Sequence, residues 1–363
     1  MLLKSFRYLL LPFSFLYTGI LWLRNWLFDN NILKSTPFNF PLICVGNLAV
    51  GGTGKTPMVE LLLELLHGTY KTGVLSRGYK RKTSGYIEVL PQLTANDVGD
   101  EPLMLKLKYP DACVAVGEQR VIAIPHLLAQ HPDLKVILLD DAFQHQSVRP
   151  DINILLTTYD KPFYKDVILP LGTLREFVSG KERANIIVIT KCPENISENE
   201  QAEIIQKIKP NEQQRIFFST IQYGIPYNLL NPADKLYYKK SDTCLLVSGI
   251  ANANPLKKYL NKQVKEVVHY EYDDHHYFTI EELENIAKYN PDIKQWITTE
   301  KDGVRLALHR QWLQNNGISL YCLPVKSVLM GKNRHDFASI IIGFLSYFYK
   351  EDDDTELTQK NIS

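Results

Sequence analysis

Pro41-Leu42-Ile43-Cys44-Val45-Gly46-Asn47-Leu48-Ala49-Val50-Gly51-Gly52-Thr53-Gly54-Lys55-Thr56 joins a short apolar run to a glycine-rich loop that ends in Lys-Thr. Pro41–Val45 reads as a buried strand, and Val59–Leu66 as a helix that stops at Gly68. Gly46, Gly51, Gly52 and Gly54 leave room for backbone N–H groups to converge on phosphate oxygens, which bulkier residues would block. Asn47, Ala49, Val50 and Thr53 complete the loop, Lys55 reaches the terminal phosphates, and the Thr56 hydroxyl is the expected Mg²⁺ ligand. Ala49 stands where the usual pattern has its first glycine. The alternative is a glycine-rich turn with a chance Lys-Thr pair. Strand, loop and helix arrive in the order a phosphate-binding loop requires, so the expected ligand is a nucleoside triphosphate.

At 363 residues the chain is long enough for two α/β domains, each with its own core. Hydrophobic residues make up 45% and charged residues 22%, the composition of a folded protein. A net charge of +1 argues against a general nucleic-acid binder, so no nucleic-acid partner is expected. Five scattered cysteines with no CxxC pair indicate neither a disulfide framework nor a zinc site.

Near the N-terminus, Tyr8–Leu23 is uncharged, with Lys4 and Arg7 before it and Arg24 after it. Such a run rises about 24 Å as a helix, short of the roughly 30 Å hydrocarbon core of a bilayer. Tyr17, Trp22 and Trp26 favour the lipid–water interface, and the basic flanks favour the cytoplasmic side. Shallow insertion of a helix kinked at Pro12 is therefore expected; a buried core helix and a signal peptide are the alternatives.

From the glycine-rich loop to about Thr220, strands and helices alternate, which predicts a mostly parallel sheet covered by helices. Strands are expected at Thr72–Leu75, Ala112–Val116, Val136–Leu139, Ile152–Leu156, Ile186–Ile189 and Arg215–Ser219. Helices are expected at Glu101–Lys108, Arg120–Gln130 and Glu198–Lys209. A second set follows, with strands at Thr243–Val247, Val267–Tyr272, Gln295–Thr299 and Ser319–Leu323, and a capping box of Thr279 and Glu282. The expected organisation is a membrane-associated helix over 1–29 and a P-loop NTPase-type α/β domain over 38–222. A smaller α/β domain over 241–348 and an acidic, solvated tail over 349–363 complete it.

Val136–Leu139 delivers Asp140 and Asp141 to the carboxyl end of a strand, where a P-loop protein needs acids for its metal. Gly99-Asp100-Glu101-Pro102 is a second acidic pair; Asp100 is a catalytic candidate or simply a helix N-cap. Asp273-Asp274-His275-His276 is a third cluster, suited to proton transfer through one histidine. Arg175, in Leu169–Glu176, could neutralise charge on a transferring phosphoryl group or form a surface ion pair. Arg77, Lys80, Arg81 and Lys82 form a basic loop suited to an anionic substrate or lipid head groups.

In order, GNLAVGGTGKTP, SRGYKR, GDEP, DDAFQH, LPLGTLRE, DDHHYF and TTEKDGVRL resemble the tetraacyldisaccharide 4′-kinase (lipid A 4′-kinase) family, from the N-terminal helix to about Leu306. The resemblance implies transfer of the ATP γ-phosphate to the 4′-hydroxyl of an acylated glucosamine disaccharide 1-phosphate, at the cytoplasmic face of the inner membrane. It implies that Lys55 and Thr56 meet phosphates and Mg²⁺, that Asp140 and Asp141 serve the metal with Glu101 nearby, and that Asp100 and His275 form the acid–base pair. It marks Arg120, Arg175 and Glu176 as further active-site positions, with Gln144 near the acids; Arg77, from the basic loop, is a substrate-side candidate with Arg120, Gln144 and Glu176. His276 competes with His275 for the catalytic role. Asp100 and His275 are expected in different domains. A membrane-tethered P-loop switch and a kinase of a soluble sugar are the competing functions.

Overall fold

The computed structural model describes residues 10–331 and 333–360. Lys4, Arg7 and Tyr8, expected to open the membrane-associated segment, lie outside the described residues, as do residues 361–363 of the expected tail. The chain divides into two compact units. Met1–Arg77, Asp111–Ile221 and Ser327–Ser363 form the first; Gly78–Pro110 and Gln222–Lys326 form the second.

In the first unit, near-continuous apolar runs form strands buried on both faces, as parallel sheets require. Leu42, Ile43, Cys44 and Val45 are all fully buried. The strands lie in the order Val325–Leu329, Arg215–Tyr223, Ile186–Thr190, Ile152–Thr158, Leu42–Asn47, Val136–Asp140, Thr72–Ser76, Cys113–Val116. From Arg215–Tyr223 to Cys113–Val116 every neighbouring pair is parallel. The central strand Leu42–Asn47 feeds the glycine-rich loop, and its register pairs Val45 with Asp140 on the next strand. Asp140 therefore arrives level with the start of the loop, at the carboxyl edge where such sheets bind ligands.

The division differs from the continuous domains expected on sequence. The tail of the chain belongs to the first unit because Phe337, Ile341 and Leu345 of helix Asn333–Lys360 are buried there. Phe337 meets the ring of Phe217 edge-on at 5.4 Å. That helix also continues through residue 360, into the segment expected to be a tail.

Helix Leu11–Asp29 opens the described chain. Pro12 sits in its first turn, where no intrahelical N–H is needed, so the kink expected there does not form. Tyr17 donates its hydroxyl to the Arg175 carbonyl at 3.1 Å, and Arg24 donates to the Gln144 carbonyl. Phe15 is 74% exposed, Leu16 66% and Trp22 59%, so the helix has one face on the first unit and an apolar outer face. Among the described residues no helix is long and apolar enough to cross a membrane.

The second unit is a smaller sheet in the order Tyr227–Asn228, Ser319–Leu323, Gln295–Thr299, Thr243–Ser248, Glu266–Glu271. All its pairings are parallel except that of the short Tyr227–Asn228 strand. Trp296, Leu283 and Leu245 centre one of its core clusters. Helix Asp100–Lys108 joins this unit beside helix Glu300–Leu306, tied by Lys108 to Glu300 at 2.9 Å.

Candidate active site

In the first unit, the loop after Leu42–Asn47 is fixed by backbone conformations that suit glycine. Gly51 has φ +109° and Gly54 has φ +88°, and Gly54 is the left-handed N-cap of helix Lys55–Leu66. Gly46 is required for a different reason, since a Cβ there would lie 2.5 Å from Phe143 Cβ. Gly46→Ala is expected to destabilise the protein by about 1–3 kcal/mol through overpacking. Denaturant unfolding would show a lowered midpoint, and an unchanged midpoint would contradict the close approach.

Ala49 is accommodated because it bridges Leu174 in antiparallel fashion. Val50 N–H donates to the Thr173 carbonyl at 2.8 Å, and Arg175 N–H to the Leu48 carbonyl at 2.7 Å. The other side of the loop is held by the end of strand Ile186–Thr190. Thr190 donates its hydroxyl to the Thr53 carbonyl at 2.8 Å, and Lys191 Nζ donates to the Gly52 carbonyl at 2.6 Å. Thr190 and Lys191 carry no signal of this role in sequence, because the contact joins residues far apart in the chain.

Lys55 begins the helix after the loop and Thr56 follows it. Lys55 Nζ lies 3.7 Å from Asp141, and Arg175 Nη2 lies 2.8 Å from the same carboxylate. Arg175 also donates to Asn47 Oδ1 at 2.5 Å. Burial alone would raise the Asp141 carboxyl, but Lys55 and Arg175 outweigh it and hold it below its ordinary value. Asp141 has φ +48°, an uncommon backbone for a non-glycine residue and of a kind that clusters at functional sites. Asp140 is buried and accepts the Ser76 hydroxyl at 3.1 Å.

The remaining candidates divide into those that line a cleft and those that brace it. A cleft of about 260 Å³ is lined by Tyr17, Arg24, Arg77, Asp141, Gln144, His145 and Arg175, among others. His145, not singled out on sequence, is pushed down to about 4 by burial and by Arg120 and Arg77, so it is neutral near pH 7. Arg120 is almost wholly buried and donates to the carbonyls of Gly117 and Asp140. Glu176 is fully buried, in a two-pronged pair with Arg183 at 2.6 and 2.9 Å, and reaches Gln144 at 3.4 Å. Both act by fixing the strand end and Gln144.

Thr56, Asp140 and Asp141 offer oxygen donors only, the set that Mg²⁺ prefers. Among the described residues no cluster of three or more His, Cys, Asp or Glu side chains could hold a metal. Mg²⁺ does not need such a cage, since it usually takes one or two carboxylates and completes its shell with phosphate oxygens and water. The residues present fit that mode. Glu101, also expected at the metal, lies in the second unit, where its carboxylate pairs with Lys301 at 2.8 Å.

In the second unit Asp100 and His275 meet directly. Both belong to this one unit, not to separate domains as expected. Gly99, with φ +90°, holds the N-cap position, so Asp100 is the first helical residue and is not the cap. Its Oδ1 accepts the Glu101 N–H at 2.9 Å, and its Oδ2 lies 2.9 Å from His275 Nδ1. Arg305 Nη1 lies 3.6 Å from the same oxygen. Burial pushes the Asp100 carboxyl up, but His275, Lys301 and Arg305 outweigh it and leave it below its ordinary value. The two histidines separate cleanly. His276 is 3.0 Å from both oxygens of Glu282 and stacks on Tyr272 at 4.5 Å, so it anchors the capped helix Ile280–Tyr289. Lys301 and Arg305 were legible only as part of TTEKDGVRL, with no role attached.

A parallel sheet whose central strand ends in this loop, with acids on the adjacent strand end, defines a P-loop nucleotide-binding protein. The family profile for Tetraacyldisaccharide-1-P 4′-kinase matches residues 6–344, and the chain belongs to that family. It is 44% identical over 335 residues to a tetraacyldisaccharide 4′-kinase of Flavobacterium johnsoniae, covering 92% of this chain and 96% of the relative. It is 38% identical over 351 residues to that of Bacteroides thetaiotaomicron, covering 93% and 92%. A crystal structure of LpxK from Aquifex aeolicus in complex with ATP superposes with a TM-score of 0.71 at 28% identity, over 93% of this chain and 99% of that one.

Proposed function

We propose that this chain is an ATP-dependent kinase that phosphorylates the 4′-hydroxyl of a tetraacyldisaccharide 1-phosphate in lipid A biosynthesis, yielding lipid IVA. A phosphate-binding loop alone serves switches and kinases equally. The observation that carries the kinase reading is the buried pair of Asp100 and His275 at 2.9 Å, an arrangement suited to take the proton of an acceptor hydroxyl.

The roles follow from the residues. Backbone N–H groups of residues 51–56 bind the phosphates, and Lys55 and Arg175 neutralise charge that develops on the γ-phosphoryl group and on ADP. Thr56 and Asp140, with Asp141, would hold Mg²⁺, which would supply positive charge to offset that of the phosphates. Asp141 keeps both cations in place before nucleotide arrives. Phosphoryl transfer is loose, so the sugar hydroxyl needs to lose its proton only late, and an ionised Asp100 steadied by His275 is basic enough. Arg77 and Gln144 serve the anionic disaccharide from the cleft. A requirement for the acceptor tests this reading: ADP release should depend on added disaccharide 1-phosphate, whereas a switch would hydrolyse ATP without it.

An acylated substrate stays in a bilayer, so the enzyme works at the cytoplasmic face of the inner membrane, with helix Leu11–Asp29 lying in the interface. The exposed residues Phe15, Leu16 and Trp22 support that reading. Because Tyr17 and Arg24 tie the same helix to Arg175 and Gln144, deleting it would disturb the site as well as the anchor. The triple variant Phe15→Ser, Leu16→Ser, Trp22→Ser is the cleaner probe. It should lose most vesicle binding in flotation assays while keeping its melting temperature and nucleotide affinity. Undiminished flotation would place the anchor elsewhere.

A further inference from the structure

We propose that Lys301 is a positioning residue that sets the tautomer of His275, so that the single imidazole proton sits on Nδ1 and is donated to Asp100. The inference deepens the kinase reading above and rests on it for its consequence in catalysis. Lys301 Nζ lies 3.1 Å from His275 Nε2 and 2.8 Å from Glu101 Oε1. An ammonium group can only donate, so Nε2 must accept and Nδ1 must carry the proton. That proton points at Asp100 Oδ2, 2.9 Å away.

The surroundings favour this arrangement over its alternative. An acceptor that could draw a proton to Nε2, the Asp274 carboxylate of the same loop, is 3.7 Å away, too long for a hydrogen bond. Lys80 Nζ donates to the Asp274 carbonyl at 3.1 Å, and the Tyr79 ring covers the imidazole edge-on at 5.1 Å. Arg305 approaches the pair from the Asp100 side, at 3.6 Å. Burial works against the Lys301 ammonium, but Glu101 and Asp100 outweigh it and keep it charged. Glu101 therefore aims the ammonium, the ammonium fills the lone pair of Nε2, and the imidazole is left to steady Asp100. Were Lys301 absent, the proton could move to Nε2, and two acceptors would face each other between Nδ1 and the carboxylate.

The test uses the full chain with ¹⁵N-labelled histidine, wild type, Lys301→Met and Lys301→Arg. Long-range ¹H–¹⁵N correlation should show His275 with a protonated Nδ1 and a bare Nε2 in wild type, and a shift toward protonated Nε2 in Lys301→Met. The methionine variant should lose kcat by about 10- to 100-fold with the KM for ATP and acceptor moved far less. Lys301→Arg, which keeps a cationic donor, should recover part of the loss and the wild-type tautomer. A wild-type spectrum with protonated Nε2 overturns the proposal directly, even if Lys301→Met fails to fold. So does a Lys301→Met protein that loses rate while its tautomer is unchanged. The spectrum does not depend on activity, so failure of the kinase reading would show separately, as wild-type protein that forms no phosphorylated disaccharide.

Discussion

Asp100→Ala and His275→Ala are each expected to lower kcat by about 10²–10⁴-fold, and the double variant by little more than the worse single. The two side chains meet at 2.9 Å inside one compact unit, so removing either already dismantles the arrangement that receives the proton. Losing the imidazole leaves Asp100 Oδ2 without its His275 partner; losing the carboxylate leaves the imidazole with nothing to orient. Independent roles would instead multiply, and multiplicative losses in the double variant would rule the pair out as a unit. A purely structural Asp100 would show a stability loss with kcat intact. His276→Ala is the internal control, because its ring serves Glu282 and Tyr272, so it should cost stability more than rate.

Lys55→Ala should lower phosphoryl transfer by about 10²–10³-fold, the usual cost of removing one charge-stabilising donor where charge develops. Lys55 opens the helix after the loop, with Asp141 at 3.7 Å and Asn47 Oδ1 at 3.5 Å, so its amine is pre-placed at the strand ends. Removing it leaves Arg175 to compensate Asp141 alone, so folding should be largely kept while rate is lost. Thr56→Ala in the same assay should weaken the dependence on Mg²⁺. Near-normal turnover by a folded Lys55→Ala protein would contradict the assignment of the loop.

Local patterns carried much of this architecture into the sequence. Leu42–Asn47, Val136–Asp140 and Ile186–Thr190 are near-continuous apolar runs, legible because a strand buried on both faces has no polar choice. The Thr279–Glu282 capping box announced helix Ile280–Tyr289 from three residues of spacing. The course of the chain between units was not legible. Gly78–Pro110 follows a first-unit strand and Ser327–Ser363 follows a second-unit strand, and only tertiary burial of residues such as Phe337 decides where each belongs. The same limit applies to the site. GGTGKT and DD read locally, whereas the Lys301–His275 contact and Lys191 on the Gly52 carbonyl are long-range polar pairings with no periodic trace.

The central claim is phosphorylation of one hydroxyl on one lipid class. Purified protein incubated with ATP, Mg²⁺ and a tetraacylated glucosamine disaccharide 1-phosphate, followed by mass analysis with fragmentation, tests it most directly. One added phosphate on the 4′-hydroxyl and one ADP per product molecule are expected, with product formation by the Lys55→Ala or Asp100→Ala protein lowered by about 100-fold or more. ADP accumulating without any phosphorylated disaccharide, or phosphate on a different hydroxyl, would contradict it.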